Sequence, residues 1–561
     1  MHYISKLKSQ RGVVLITAYM IIASLSLLTA AAIKIATTEY GFARRYFLST
    51  KAYYLAEAGT DMTAYSLAGK VANYEEEPSG ANCEWTDLCS TTTDFLSTGF
   101  DVDTICVTLD TDHAGSDPTT RERHYMLTST ARDPLTGIER TINQIVIRRK
   151  GYTFQHAIFY AGDLELLPGQ DMLLTGKLHS NHDIYIASDG ASLTVDTNYL
   201  CSAGNVYNMR KDKSGGASGT VQIKIDGSSS YARMLESGDP SPLDCRRSDW
   251  ALASQTRWNG TVLSSVHGVT EKAVPEPRST DPDGFYAQNA NVKVINGSAY
   301  DGASELVEGV DVPHGTIATS DTFYNFREGK YIRMTDIDIE KLAGWCNVDS
   351  EGNEVPPGGD YSSVVGKAQL YSNHLPANAL LYATRDDTTP DQQPGIRLLN
   401  GSEIHSSGGL TVVSNDPAYI QGDFNNINKK PASVFADAVN IVSNNWDDGN
   451  SDGDKSARQA TETTVNAAFI AGINETSWGD YSGGLENYPR LHEDWGGITL
   501  TIRGAFVSLW NSQIATGRWE DQSYSAPIRN WDWDSDYANL DDLPSYTPYA
   551  VEIQREAIWL S

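Results

Sequence analysis

The sequence predicts an α+β protein that is mainly β. One long N-terminal helix with a small antiparallel sheet comes first, followed by a large β-rich region expected to wind as a parallel β-solenoid. Three observations lead there. Val13 to Ile33 carries no charge, and the helical pattern runs on to about residue 70. Two extended stretches flank the turn Asp133-Pro134-Leu135-Thr136-Gly137. Beyond residue 150, short apolar runs are cut by Gly, Asn and Asp with no long helical period.

Composition agrees with this outline. The 561 residues are 40% hydrophobic and 20% charged, which is ordinary for folded domains. Gly (47) and Tyr (29, against 13 Phe) favour strands and turns over helix bundles. A formal net charge of −29 repels phosphate backbones, which argues against a nucleic-acid partner and suits a soluble exported surface.

Residues 1–12, MHYISKLKSQRG, hold Lys6, Lys8 and Arg11 and no acid. The apolar run that follows is long enough, as a helix, to cross about 30 Å of hydrocarbon. Basic residues ahead of it predict a cytoplasmic N-terminus, with everything after Lys34 outside. A cleaved secretory signal fits less well, because its apolar core is usually shorter and here the helical pattern does not stop. Residues 34–70 contain no Pro, and Ala52, Leu55, Ala56 and Gly59 follow the i, i+3, i+4, i+7 spacing of one helical face.

The basic leader ending at Gly12, the apolar helix after it and the run Ala52-Tyr-Tyr-Leu55-Ala56-Glu57-Ala58-Gly59 together resemble the type IV pilin superfamily. The nearest branch is the PilX N-terminal type, with minor pseudopilins of type II secretion close by. The resemblance covers about the first 70 residues. It implies cleavage after Gly12 by a prepilin peptidase, N-methylation of Val13, and packing of the helix against other pilin or pseudopilin subunits. One departure stands out. The fifth mature position, Glu in most pilins, is Thr17 here. The family's Glu is thought to pair with a neighbour's N-terminal amine, so its loss favours a minor, tip-located subunit.

The expected organisation is a leader at 1–12, a pilin-like helix at 13–72 with its membrane half at 13–33, a pilin-like head at 73–150 and a β-solenoid-like extension at 151–561. In the head, His124 to Ala131 and Ile138 to Arg149 read as a hairpin, with Ile142, Gln144, Val146 and Arg148 alternating along the second strand. In the extension, Asp183 to Ala187, Val221 to Ile225, Gly409 to Val413, Ala438 to Val442, Val465 to Ile470 and Ile498 to Val507 read as strands; a β-sandwich pair is the alternative. Four phrases, beginning at Ala157, Asp416, Tyr481 and Leu500, are similar to an uncharacterised bacterial β-rich family found behind pilin-type anchors. That resemblance implies architecture and no activity.

Six cysteines (Cys83, Cys89, Cys106, Cys201, Cys245 and Cys346) all follow the anchor, where an oxidising compartment lets disulfides persist. Cys83 with Cys89 and Cys201 with Cys245 are candidate pairs.

Chemistry is sparse. His179, His182 and Asp183 sit together, but positions three apart on a strand face opposite sides, so a ladder role is expected over a metal site. Asp448-Gly-Asn450-Ser-Asp452-Gly453-Asp454 opens like a calcium loop, yet Gln459 stands where the closing Glu belongs. Glu493, Asp494 and Trp495 suggest a glycoside site, but adjacent strand carboxylates cannot flank one bond. Eight of the twelve Trp lie beyond residue 440, as core or as exposed stacking surfaces. There is no P-loop, no G-x-S-x-G elbow and no paired C-x-x-C. The expectation is therefore no enzyme, no cofactor and no metal: a minor pilin-like subunit of a type IV pilus or secretion pseudopilus whose extension binds a surface, a secreted ligand or other minor pilins. It would sit in the inner membrane as a single-pass protein before assembly, with its bulk periplasmic or extracellular. The rival readings are a membrane-anchored β-helix enzyme acting on polysaccharide and an anchored structural protein that never enters a fibre.

Overall fold

The computed structural model describes residues 4–115, 120–212, 218–478, 481–519 and 523–560, with side chains from residue 12 onward. A long N-terminal helix is followed by a large, mainly β region. Helix α1 spans Ile4–Ala72 without a break. At about 1.5 Å per residue it is roughly 100 Å long. Its threonines do not interrupt it, because their hydroxyls bond back one turn: Thr29 Oγ1 donates to the Leu25 carbonyl at 2.8 Å and Thr37 Oγ1 to the Ile33 carbonyl at 2.9 Å. The helix ends where Tyr74 adopts φ 62°, a left-handed conformation usually left to Gly. The Tyr74 amide then donates to the Val71 carbonyl and the Glu75 amide to the Lys70 carbonyl, which satisfies two of the last free carbonyls.

The second half of α1 lies on an antiparallel sheet. Its strands are β1 (Ser90–Thr92), β2 (Asp101–Thr108), β3 (His113–Ala114), β4 (Thr120–Arg132) and β5 (Glu139–Tyr152). The order is β1-β2-β4-β5, and β3 pairs with β4. The expected hairpin is present and longer than its sequence signal, with Arg132 opposite Glu139. Its turn is closed by Asp133, whose carboxylate accepts the Leu135 amide (3.0 Å) and the Thr136 hydroxyl, while Gly137 supplies φ 69°. Along the free side of β5 runs an antiparallel strand from the far end of the sequence, Tyr549–Leu560, which sets Tyr549 opposite Tyr152 and Leu560 opposite Ile142.

The solenoid expectation is met only in part. The longest sheet has 12 strands. The chain enters it in the middle, at Ile158–Tyr160. Leu178–Ser180, Leu200–Ser202 and Val262–Leu263 add outward, each parallel to the last. The chain resumes near the other end with Val292–Ile295, beyond which Ser298–Asp301 and Ser304–Glu305 add antiparallel, and works back through Ala379–Thr384, Leu410–Val413, Ala432–Ala436, Ala468–Ala471 and Phe506–Ser508. Phe506 comes into register with Ile158 and completes the ladder. Several of these strands are buried on both faces, Ala379–Thr384 and Ala432–Ala436 throughout, which explains why they read as continuous apolar runs. Other sheets are mixed. Ile317–Asn325 pairs antiparallel with Lys330–Asp338, and Trp345–Val348 with Gly366–Gln369. Mixed sheets and uneven spacing keep the region from being a clear solenoid.

One face of the long ladder feeds the main core. The other carries Phe159, Tyr382, Val413, Phe435, Ile470 and Val507 into a second cluster, which Tyr74, Phe285 and Tyr286 join from the link to the head. None of the candidate disulfides is formed: all six cysteines are free thiols. Cys106 and Cys201 are buried, and burial foremost pushes each thiol up to about 12.

Candidate functional site

Helix α1 has two halves with opposite surroundings. From Val13 to Ile35 every large apolar side chain is exposed, Val13 at 59% and Leu27 at 73%. A helix that is apolar on all sides is stable only in lipid or against other helices. Gly12–Ala72 is also the one described helix long and apolar enough to cross a membrane. Gly12 and Val13 lie in helical backbone, and Gly12 has open space around it. The Thr17 hydroxyl donates to the carbonyls of Val13 (2.9 Å) and Val14 (3.0 Å), so it takes no unpaired polar atom into an apolar layer.

The second half is fitted to the head. Ala52, Ala56 and Gly59 are buried, and Leu55 and Ala58 pack partly against the same cluster with Phe95, Phe100 and Val102. Gly59 makes the closest approach: a Cβ there would lie 2.3 Å from Ser129 Oγ and 2.9 Å from Val102 Cγ1. Glu57, half-buried, lends its carbonyl to the Thr60 hydroxyl at 2.8 Å. Further along, Leu67, Val71 and Ala72 meet Trp85, Tyr125, Leu127 and Val146.

An ion network fixes the exit of the helix to the sheet. Arg148 Nη2 donates to Glu77 at 2.9 and 3.1 Å, and Lys150 Nζ lies 2.6 Å from Glu77 Oε1. The Tyr125 hydroxyl donates to the same carboxylate, and Arg123 approaches within 3.5 Å. Burial alone would raise the Glu77 pKa; Arg148 and Lys150 outweigh it and hold the group at about 2. Ile142, Gln144, Val146 and Arg148 thus share the helix-facing side of β5, and the Arg148 charge is matched there by Glu77.

The head is also sewn to the extension. Asn73 Oδ1 accepts the Glu276 amide at 2.8 Å, Lys272 Nζ reaches Glu552 at 3.0 Å, and Arg555 pairs with Asp61 on α1. Ala273 and Val551 exchange main-chain bonds at 2.8 and 2.7 Å. Between α1 and this seam runs a groove of about 940 Å³, lined by Ala64, Ala68, Lys272, Ala273, Val551 and Ile553.

The three other sequence candidates are absorbed by structure. His179 is buried, stacks on Phe159 at 5.1 Å and shares a 3.0 Å hydrogen bond with Asn181; burial, chiefly, lowers its pKa to about 3. Asp183 accepts the Asn205 amide at 2.7 Å, bonding one coil of the ladder to the next. In the calcium-like loop, Asp448 is held by Arg397 Nη1 at 2.7 Å and by Trp446 Nε1 at 2.8 Å, and Asp447 caps the Gly449 amide. Glu493 is buried and receives the amide and hydroxyl of Ser443, both at 2.6 Å; burial dominates and raises it to about 7. Trp495 is fully buried in the main core.

The sequence reading passed over Tyr74 and Glu77, whose partners lie far away in the chain. It also passed over Asp110, His113 and His124, which the head gathers at one spot. The signal for these was present as Asp-Thr-Asp-His followed by a second His on the next strand.

No family model matches the chain, and no curated protein does. Among solved structures, the chain is similar to the competence-associated pilin ComZ from Thermus thermophilus. They share 10% identity, with 91% of this chain and 97% of that chain covered, at a TM-score of 0.25. A superposition that loose bears on neither fold nor function.

Proposed function

We propose that the chain is a minor pilin-like subunit of a type IV pilus or a type II secretion pseudopilus, placed at the tip. The observation that carries the reading is the divided helix: a bare apolar stem of some two dozen residues joined without a break to a half locked into an antiparallel head. Such a stem suits storage in a bilayer followed by packing among other subunit helices. Gly12–Val13 is the processing junction of this reading, cut by a prepilin peptidase and methylated on Val13. The N-terminus faces the cytoplasm before assembly, and the bulk lies in the periplasm or outside the cell.

In the same reading the β-rich extension, wound in solenoid fashion, serves binding rather than catalysis. Support comes from Asp448, Glu493 and Asp183, three of the carboxylates that look catalytic or metal-binding in sequence, each engaged in structural bonds. An extension of this size would crowd a thin shaft if repeated, which favours the tip, where it meets a surface, a secreted ligand or other minor pilins.

Mass spectrometry of the protein isolated from membranes tests the reading directly. A mature N-terminus at methylated Val13 is expected. An N-terminus still carrying residues 1–12 overturns it.

A further inference from the structure

The head holds a group of side chains that neither the stem nor the ion network uses. Asp110 follows β2, His113 lies on β3 and His124 on β4. On β4, His124 alternates with Tyr125 and Leu127, which face α1, so it projects from the opposite side of the sheet. The pairing of β3 with β4 sets His113 opposite Glu122, two residues from His124 and on the same side.

Asp110 Oδ2 is 2.6 Å from His124 Nδ1 and 3.7 Å from His113 Nδ1. The two imidazoles stack at 5.5 Å with planes 8° apart. One ligand atom from each residue lies within 4.8 Å of the other two. The carboxylate is held in place, since its Oδ1 accepts the His124 amide at 2.8 Å, while the Leu109 amide donates to the His124 carbonyl at 2.8 Å. The neighbouring cations are occupied elsewhere: Arg149 Nε on Glu122, and Arg123 on Glu77 and on the Asp110 main-chain carbonyl (3.2 Å).

We propose that Asp110, His113 and His124 bind a divalent transition-metal ion of the zinc type. Two nitrogens and one oxygen suit such an ion, whereas calcium and magnesium take oxygen sets. A single divalent charge placed among them satisfies both rings and the carboxylate. Fixing Asp110 through a backbone amide is the kind of outer support that orients a metal ligand. All three side chains are partly open to solvent, so an ion has a path in, and three protein ligands leave a further position for water or a donor from a partner. Bound there, the ion would clamp β3 and the segment after β2 onto β4.

The test uses the full chain in detergent, stripped with a chelator. Zn²⁺ is titrated calorimetrically, and Co²⁺ by its visible absorption. The expected result is one ion per chain, with the intense Co²⁺ bands of a four- or five-coordinate nitrogen–oxygen site. His113→Ala, His124→Ala and Asp110→Asn are each expected to weaken binding about tenfold or more, with the circular dichroism unchanged. His113 is exposed, so its replacement separates loss of a ligand from loss of the fold. Absence of Zn²⁺ and Co²⁺ binding by the intact chain overturns the proposal, and so does binding that persists unchanged in the H113A/H124A double variant.

Discussion

The hydroxyls of Tyr74 and Tyr286 lie 2.6 Å apart, joining the end of the long helix to a segment more than two hundred residues away. The Tyr74 ring also stacks on Phe285, with centroids 4.1 Å apart and planes 8° from parallel. A tyrosine in left-handed backbone is strained by roughly 1 kcal/mol, so the position is held by what the ring touches. Tyr74 therefore ties the Phe285–Tyr286 segment of the extension to the end of the helix.

Replacing Tyr74 tests that role. Tyr74→Phe keeps the stack and loses one hydrogen bond, at a cost of about 1 kcal/mol. Tyr74→Ala removes a half-buried ring and is expected to cost about 3 kcal/mol, the low end for aromatic truncation. Thermal unfolding of the detergent-solubilised chain should show the alanine variant melting well below the phenylalanine variant. Equal melting temperatures would mean that the ring contributes nothing.

The Glu77 network predicts a pH dependence whose sign follows from its pKa. The carboxyl is lowered from 4.5 to about 2 by Arg148 and Lys150 working against burial. A group depressed in the folded state binds fewer protons there than when unfolded. Its contribution is full above about pH 4.5 and is lost as the pH falls through that value towards 2. The shift corresponds to about 3 kcal/mol. Glu77→Gln should lower stability at neutral pH and flatten this acid limb, as read by denaturant unfolding between pH 6 and pH 3. Arg148→Met should cost about 3–5 kcal/mol, because it leaves a buried carboxylate with fewer partners.

Gly59 is the tightest point between helix and sheet. A methyl group there meets the Ser129 and Val102 side chains, so Gly59→Ala forces those side chains or α1 itself to shift. A cost of about 1–3 kcal/mol is expected, although alanine is the better helix former. The paired variant Gly59→Ala with Ser129→Gly should recover part of the loss, read as a rise in melting temperature. If Gly59→Ala instead stabilises the chain, helix propensity outweighs the contact.

Which parts of this were legible in the sequence follows from the range of the interactions. The stem, the spacing of Ala52, Ala56 and Gly59 and the Asp133–Gly137 hairpin depend on residues a few positions apart, and each is found where its pattern pointed. The strands of the extension were also visible as apolar runs. Their order was not, because a run such as Ile158–Tyr160 carries no mark that its partner is Phe506–Ser508. The phrase from Ala157 and the phrase from Leu500, noted separately for their resemblance to one family, are the two sides of that closing pair. Glu77 was hidden in a polar stretch, and only folding shows that Arg148, at an alternating apolar position, is its counterpart. His124 is legible only together with Asp110-Thr-Asp-His113, because it takes the pairing of β3 with β4 to bring the second imidazole beside it.

Thr17 offers the sharpest test of the assembly proposal. Its hydroxyl is satisfied within the helix by Val13 and Val14, so the residue needs no partner subunit to suit an apolar layer. A carboxylate in its place has no such local partner and costs about 2.5–3.5 kcal/mol in a membrane span. That cost is removed when a neighbouring subunit's N-terminal amine lies within reach, the pairing that the proposed assembly calls for. Thr17→Glu should therefore let the subunit join beneath others. Immunogold labelling is then expected to move from fibre ends alone to positions along the shaft, while Thr17→Val, which keeps the span apolar, leaves label at the ends. Identical labelling of the two variants would remove Thr17 as an argument for the tip, and label on neither fibre would count against assembly altogether.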